Sequence, residues 1–535
     1  MSLQTNLARR SALLAALLVA LAMVRMAATF RVFSATTDEA MHIAAGLETY
    51  QFHSYRAQRE NPPLPRLVMA AVPYLGGMRF DPSRPWPLQL RDVFQDGKHK
   101  YERNLFLARA GNLLFLALAA FVIWFAARDD LGAEGALLAV LLFTMEPVVL
   151  GYGTLATHDI SATAGFIMAL CAFRATLRSP TLVRALLFGA AFGFSVLCKF
   201  SNVGYVPAAA VAVFLVRLPW DRAMRRRLAP TIALMLPAAI VTLLTIWAGY
   251  GLAFGERAEL TPFESAFGPR LVALLGHIAP STRIPATDFF IGIAGLLRVS
   301  QKSLTSYLCG HTSMTGWWWY FPFAVALKTT IAALALLVSG AFVGRGPLRG
   351  PWLEWTAATA AVIGVAMTSP LDIGVRYVIP AYAALAIAAA AGAMAMLRAA
   401  RPLQIVGALL LVSQLGASLL AHPDYFPYFN LFAGHEPGRH LIDSNLDWGQ
   451  DVLRLRKTAR ELKIPRLSTS IMSIADFDAL GFPPTVTADP WHATHGWIAV
   501  SEQSFRMAAI DGGWTWLPPE PYRRVGKSIR LYWNP

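Results

Sequence analysis

Eleven stretches of the chain are apolar over a length that reaches or approaches the thickness of a bilayer: 11–30, 105–127, 135–152, 159–177, 184–198, 203–217, 229–252, 320–342, 352–368, 377–397 and 403–421. A spanning helix needs about 20 mostly apolar residues, because backbone polar groups in hydrocarbon must be satisfied within their own segment. Composition points the same way. Charged residues make up 15% of the 535 and hydrophobic residues 56%, with mean hydropathy +0.46, whereas a soluble domain carries about 25% charged residues. The expected fold is an all-α polytopic membrane protein of about eleven spans. The short runs 184–198 and 203–217 meet at Cys198-Lys199-Phe200-Ser201-Asn202, which reads as a shallow turn within the membrane.

Lys and Arg in short loops set orientation. With Arg9 and Arg10 inside, the inner connections hold Arg128, Arg174, Arg178, Arg184, Arg217, Arg222, the run Arg225-Arg226-Arg227, Arg345, Arg349, Arg398 and Arg401. The short outer connections hold only Lys199 and Arg376. The net charge of +15 is therefore a topology signal, and nucleic acid is excluded as a partner. A cleaved signal peptide over 1–30 is the competing reading, and it too leaves 31–104 outside. Cys171, Cys198 and Cys309 offer neither a disulfide framework nor a zinc cluster.

Three polar segments, 31–104, 253–319 and 422–535, fall outside, and all eleven histidines lie in them or at the outer membrane edge. Chemistry is expected on that side. The chain divides into a membrane part, 1–421, and an outer C-terminal domain, 422–535. The latter reads as a small α/β unit, with a helix over 450–463 and strands near 467–474 and 497–501.

Asp38 and Glu39, with His42 one turn on, follow the first helix. Carboxylates at that depth are costly unless solvated or used, although Thr36 or Thr37 capping a helix would also employ them. Glu60-Asn61-Pro62-Pro63-Leu64-Pro65-Arg66 stiffens the entry to an amphipathic helix. His158-Asp159 and Glu146-Pro147 place acids at or within apolar helices. Arg109, Lys199 and Arg376 are outer cations with no orienting purpose; they would pair with those acids or grip a phosphate. Arg25 would snorkel. Trp317, Trp318 and Trp319 would anchor at the interface or stack on a sugar or isoprenoid. Asp443-Ser444-Asn445-Leu446-Asp447-Trp448-Gly449-Gln450-Asp451 suits a sugar, with Trp448 as a wall. It would equally suit a helix start with Asp447 as cap and Gln450 completing a capping box.

Thr-Thr-Asp-Glu-Ala-Met-His from Thr36, with Asn61-Pro62-Pro63-Leu64, resembles the first periplasmic loop of polyprenyl-phosphate-sugar glycosyltransferases of the GT-C superfamily. The protein mannosyltransferases (glycosyltransferase family 39) and the lipid A aminoarabinose transferases are the related groups. Ala108-Arg109-Ala110, Glu146-Pro147 through Asp159, Leu197-Cys198-Lys199-Phe200, GWWWYFPFAVALK from Gly316, DIGVRYVIP from Asp372 and DSNLDWGQD from Asp443 extend the resemblance in order. Asn61 departs from it, since mannosyltransferases usually carry His there.

The resemblance implies sugar transfer from a polyprenyl-phosphate carrier to a lipid, glycan or protein acceptor at the periplasmic face of a bacterial inner membrane. In that reading Asp38 is the general base of an inverting displacement, with Glu39 and Asp159 as further catalytic acids. Arg109, Lys199 and Arg376 bind the donor phosphate. His42, Asn61, Arg66, Glu146, His158 and Trp448 contact substrate. The carboxylates and histidines would offer ligands to a divalent cation. A transporter or flippase is the alternative; repeat symmetry and broken midplane helices would mark it, and neither is visible.

Overall fold

The computed structural model describes residues 3–535 apart from 85, 96–99, 220, 269–272, 274–275, 302–303 and 345. Arg345, read above as an inner-side cation, lies outside the described residues. Each apolar run is built on helix: Leu3–Thr29, Tyr101–Thr144, Asp159–Arg178, Leu182–Cys198, Asn202–Arg217, Met235–Gly249, Ile331–Val343, Arg349–Ala366, Ala381–Leu397 and Arg401–Leu420. Tyr101–Thr144 carries two runs and breaks at Gly132, whose φ of 79° is the left-handed region that glycine enters without steric cost.

By length and composition, five of the described helices could cross a bilayer. A sixth is added if Tyr320–Lys328 and Ile331–Val343, bent by 113°, form one broken span. The difference from eleven has a physical source. Leu182–Cys198, Asn202–Arg217 and Ala381–Leu397 are apolar but stop at 17, 16 and 17 residues, two runs share the kinked helix, and Arg349–Ala366, at 18 residues, is not among the helices apolar enough.

Ala381–Leu397 is the centre of the bundle, buried from Ala381 to Met396. It packs against Ile331–Val343, Arg349–Ala366 and Tyr101–Thr144. Its alanines let the neighbouring backbones approach closely, which is how helices associate without a hydrophobic driving force. Asp159–Arg178 lies between Leu182–Cys198 and Tyr101–Thr144.

A second layer, at one end of the bundle, starts with the helices Thr37–Phe52 and Pro63–Leu75, laid against each other. Gly46 allows this, because a Cβ there would collide with the Arg66 carbonyl. The C-terminal residues form a helix, Val452–Glu461, and a five-stranded sheet ordered Thr485–Thr487, Leu467–Ser470, Gly496–Ser501, Ile529–Asn534, Arg523–Val525. The first two pairings are parallel and the last two antiparallel. One sheet face (Leu467, Ala499, Leu531) shares a core with Leu455 of that helix and with Ala40, Ile43 and Leu47. The other (Ile498, Val500, Tyr532) packs on Trp514 and Leu517.

Candidate active site

Thr36 is extended and begins the helix Thr37–Phe52, with Asp38 and Glu39 in its positive first turn. The two acids part company at once. Glu39 is fully buried and accepts from Arg109 Nε at 2.7 Å, Arg109 Nη2 at 2.8 Å, Ala156 N at 2.8 Å and Thr36 N at 2.9 Å. The remaining N–H groups of Arg109 donate to the carbonyls of Phe30, Phe33 and Ser34. All five guanidinium donors are thus engaged. Arg109 and Glu39, expected at the phosphate and in catalysis, here pair with each other and fasten the loop after the first helix to the top of Tyr101–Thr144.

Asp38 turns the other way. Its Oδ2 accepts from Arg376 Nη1 at 2.5 Å. Burial pushes its carboxyl up, but Arg376, with His42 and Lys199 nearby, brings it below the ordinary value. Arg376 lies over the Trp448 ring at 4.3 Å and beside Tyr377 at 5.3 Å. The turn at Lys199 brings that ammonium to Asp159 Oδ1 at 2.6 Å and to the Tyr377 ring at 5.2 Å. Asn202 Nδ2 holds the turn by donating to the Ala162 and Ser195 carbonyls. Thr157 Oγ1 donates to the second Asp159 oxygen at 2.8 Å. His42 stacks on His158 with ring centroids 4.0 Å apart; His42 Nδ1 meets Gln58 at 2.7 Å and His158 Nδ1 meets Asn61 at 3.2 Å. Burial pulls the His42 imidazole below its usual value, although Asp38 opposes this.

Two buried atoms in this cluster, Arg376 Nε and His158 Nε2, have no hydrogen-bond partner. Unpaired buried polar atoms are costly, so both are free to serve a ligand. Among the described residues no group of three His, Cys, Asp or Glu stands together to hold a metal ion; Asp38 and Asp159 each face a cation instead.

Arg66 is buried and donates to the Ala57 and Gln58 carbonyls, so it shapes the loop that carries Gln58 and Asn61. Glu146, expected to contact substrate, stands apart from this cluster: its carboxylate accepts from Thr330 N, Thr330 Oγ1 and Gln414 Nε2, a strut inside the bundle. Arg25 does not snorkel; it is buried on Tyr425 and Ser418. Trp318 is exposed, as a membrane anchor would be. Asp447 is not the cap expected of it. Asp451 precedes the helix, while Asp447 accepts from Gln503 N and Gly449 N. Burial pushes the Asp447 carboxyl up to about 7.

The loop 443–448 is nonetheless part of the site's wall. Asn445 Oδ1 accepts from Val375 N, and Ser444 Oγ donates to the Ile373 carbonyl, which fixes the backbone that presents Arg376. Sequence reading gave no role to Tyr377, between the two cations, and named Asp443 only as part of the run to Asp451. Asp443 has φ 55°, a strained conformation of the kind that gathers at functional sites; burial raises its carboxyl to about 6 against the pull of Arg376. It also missed Lys328, buried on the carbonyls of Phe426 and Asn445. Tyr377, Asp443 and Lys328 all lay inside motifs already quoted.

Several solved structures are similar to this chain. ArnT of Cupriavidus metallidurans bound to undecaprenyl phosphate is 14% identical over 96% of this chain and 97% of its own, at a TM-score of 0.33. The oligosaccharyltransferase of Archaeoglobus fulgidus tethered to an acceptor peptide is 12% identical over 90% and 61%, at 0.43. Arabinosyltransferase EmbB of Mycobacterium smegmatis is 14% identical over 76% and 41%, at 0.30. Scores this low leave each a likeness and nothing more. No curated protein sequence matches. Residues 101–247, which hold Arg109, Asp159 and Lys199, match the family model described as dolichyl-phosphate-mannose-protein mannosyltransferase. That match takes in 147 of the 535 residues and makes this stretch similar to that family, within a chain whose described helices include five long and apolar enough to cross a membrane.

Proposed function

We propose that this protein transfers a sugar from a polyprenyl-phosphate carrier to an acceptor at the outer, periplasmic face of a bacterial inner membrane. The observation that carries the reading is the convergence of Asp38, Asp159, Lys199 and Arg376 from four separate segments, held as two ion pairs around Tyr377. Two acids and two cations at one end of apolar helices suit a reaction that needs both a base and a grip on phosphate.

In the proposed reaction Asp38 takes the acceptor hydroxyl's proton as its oxygen attacks the anomeric carbon. The bond from that carbon to the phosphate oxygen breaks, and the electron pair leaves with the phosphate. Lys199 and Arg376 meet the charge that develops there. A single displacement inverts the anomeric centre. Arg376 links the two roles. As its guanidinium engages the phosphate, Asp38 loses its closest cation and its basicity rises toward the range useful in general-base catalysis. Asp159 then orients Lys199, and His42, Asn61, His158 and Trp448 contact the sugar or the acceptor.

The test is a purified, reconstituted protein given a panel of polyprenyl-phosphate sugars. Release of polyprenyl phosphate and formation of a product with inverted anomeric configuration support the reading. Retained configuration overturns the single displacement, and lipid movement without bond cleavage would mean a flippase.

A further inference from the structure

The helices that carry Asp159 and Lys199 away from the active site end at a second charged concavity. Asp159–Arg178 spans 20 residues, about 30 Å at 1.5 Å per residue, so its far end lies at the opposite membrane face. There a cavity of about 690 Å³ is lined by Arg178, Arg217, Arg222 and Arg349 against Asp221 and Glu354.

The carboxylates do not neutralise it. Glu354 accepts a bidentate fork from Arg217 at 2.7 and 2.8 Å and a further bond from Arg174 at 2.7 Å. Asp221 caps Met224 N. Asp130, behind the cavity, accepts from Arg174, Arg178 and Trp355. This network fixes the floor. Arg222 and Arg349 at the rim are exposed and have no hydrogen bond or ion pair among the described residues. Arg349 opens the helix Arg349–Ala366, whose N-terminus has no side-chain cap and adds its own positive field. A cation at that position opposes the helix dipole, an arrangement that a bound anion relieves.

The orientation rule requires basic residues in inner loops, and Arg225-Arg226-Arg227 already supply them. It does not require two unpaired arginines and a helix N-terminus to face one concavity. Val216 and Leu353 give that concavity an apolar side, which a free ion has no use for. Basic pockets between helices at the inner face are where lipid phosphates bind.

We infer that this cavity is a binding site for the phosphodiester headgroup of an anionic phospholipid in the leaflet opposite the active site. The inference is independent of the sugar-transfer reading. The test uses the full-length protein in detergent, offered phosphatidylglycerol and phosphatidylcholine in equal amounts, with retained lipid read by native mass spectrometry. Wild type is expected to retain phosphatidylglycerol preferentially. R222Q/R349Q, with Arg225–Arg227 left in place to preserve orientation, is expected to lose that preference by at least about tenfold, since each surface arginine contributes substantially to anionic-lipid binding. Equal retention of the two lipids by wild type overturns the site whatever the variant does. An unchanged preference in a variant that elutes as wild type also overturns it. Displacement of the lipid by excess inorganic phosphate would reassign the cavity to free phosphate and overturn the lipid claim.

Discussion

Replacing Arg109 with alanine distinguishes the clamp described here from a donor-binding arginine. The side chain is fully buried, and its five donors meet one carboxylate and three carbonyls. Removing one partner of a buried ion pair costs about 3–5 kcal/mol. Each orphaned carbonyl adds about 1–3 kcal/mol, so even the lower ends sum to about 6 kcal/mol, comparable to the whole stability of many domains at about 5–15 kcal/mol. Arg109→Ala should therefore fail to accumulate as folded protein, read as loss of the monodisperse peak in size-exclusion chromatography of detergent extracts. Glu39→Gln with Arg109→Met should be milder than the sum of the single changes, because no unpaired charge is left. An Arg109→Ala protein that elutes and melts like wild type but loses polyprenyl-phosphate affinity would refute the clamp and return Arg109 to the phosphate.

The other predictions concern the site and the sheet. Asp38→Asn should keep the fold and lower transfer about 10²–10⁴-fold, the usual size of a general-base contribution; a rate within tenfold of wild type contradicts the role. Lys199→Ala should weaken binding of polyprenyl phosphate about tenfold or more, as loss of a charge-assisted hydrogen bond does; unchanged affinity in a titration would leave Lys199 as the structural partner of Asp159. Asp447 has a folded pKa of about 7, above its unfolded value. The stability it contributes is therefore full below about pH 4 and is lost as pH rises through about 7. The wild-type melting temperature should fall between about pH 5 and pH 8, and Asp447→Asn should reduce that fall; equal slopes would refute it.

What the sequence made legible was local. The apolar runs mark the helices, and Asp38 and His42 share a helix face because they are four residues apart. The Lys199 turn is visible because a cation interrupts two short apolar stretches. The pairing of Glu39 with Arg109 was not legible. An acid and an outer cation invite a chemical reading, and only the fold shows them 70 residues apart in sequence yet paired. The contacts of Glu146 were hidden for the same reason, since Thr330 and Gln414 are far from it in sequence. Tyr377 lay inside the run quoted from Asp372 but drew no role, because an aromatic at a membrane edge is ordinary. The strands Thr485–Thr487 and Arg523–Val525 escaped because three residues are too few to show alternation.

The most direct test of the central claim is the release of polyprenyl phosphate from a polyprenyl-phosphate sugar by the reconstituted protein, measured by mass spectrometry for wild type, D38N and R376A. The account predicts acceptor-dependent release by wild type, with both variants reduced at least about a hundredfold while still folded. Release by D38N and R376A at the wild-type rate, or none by wild type from any donor of a broad panel, would contradict it.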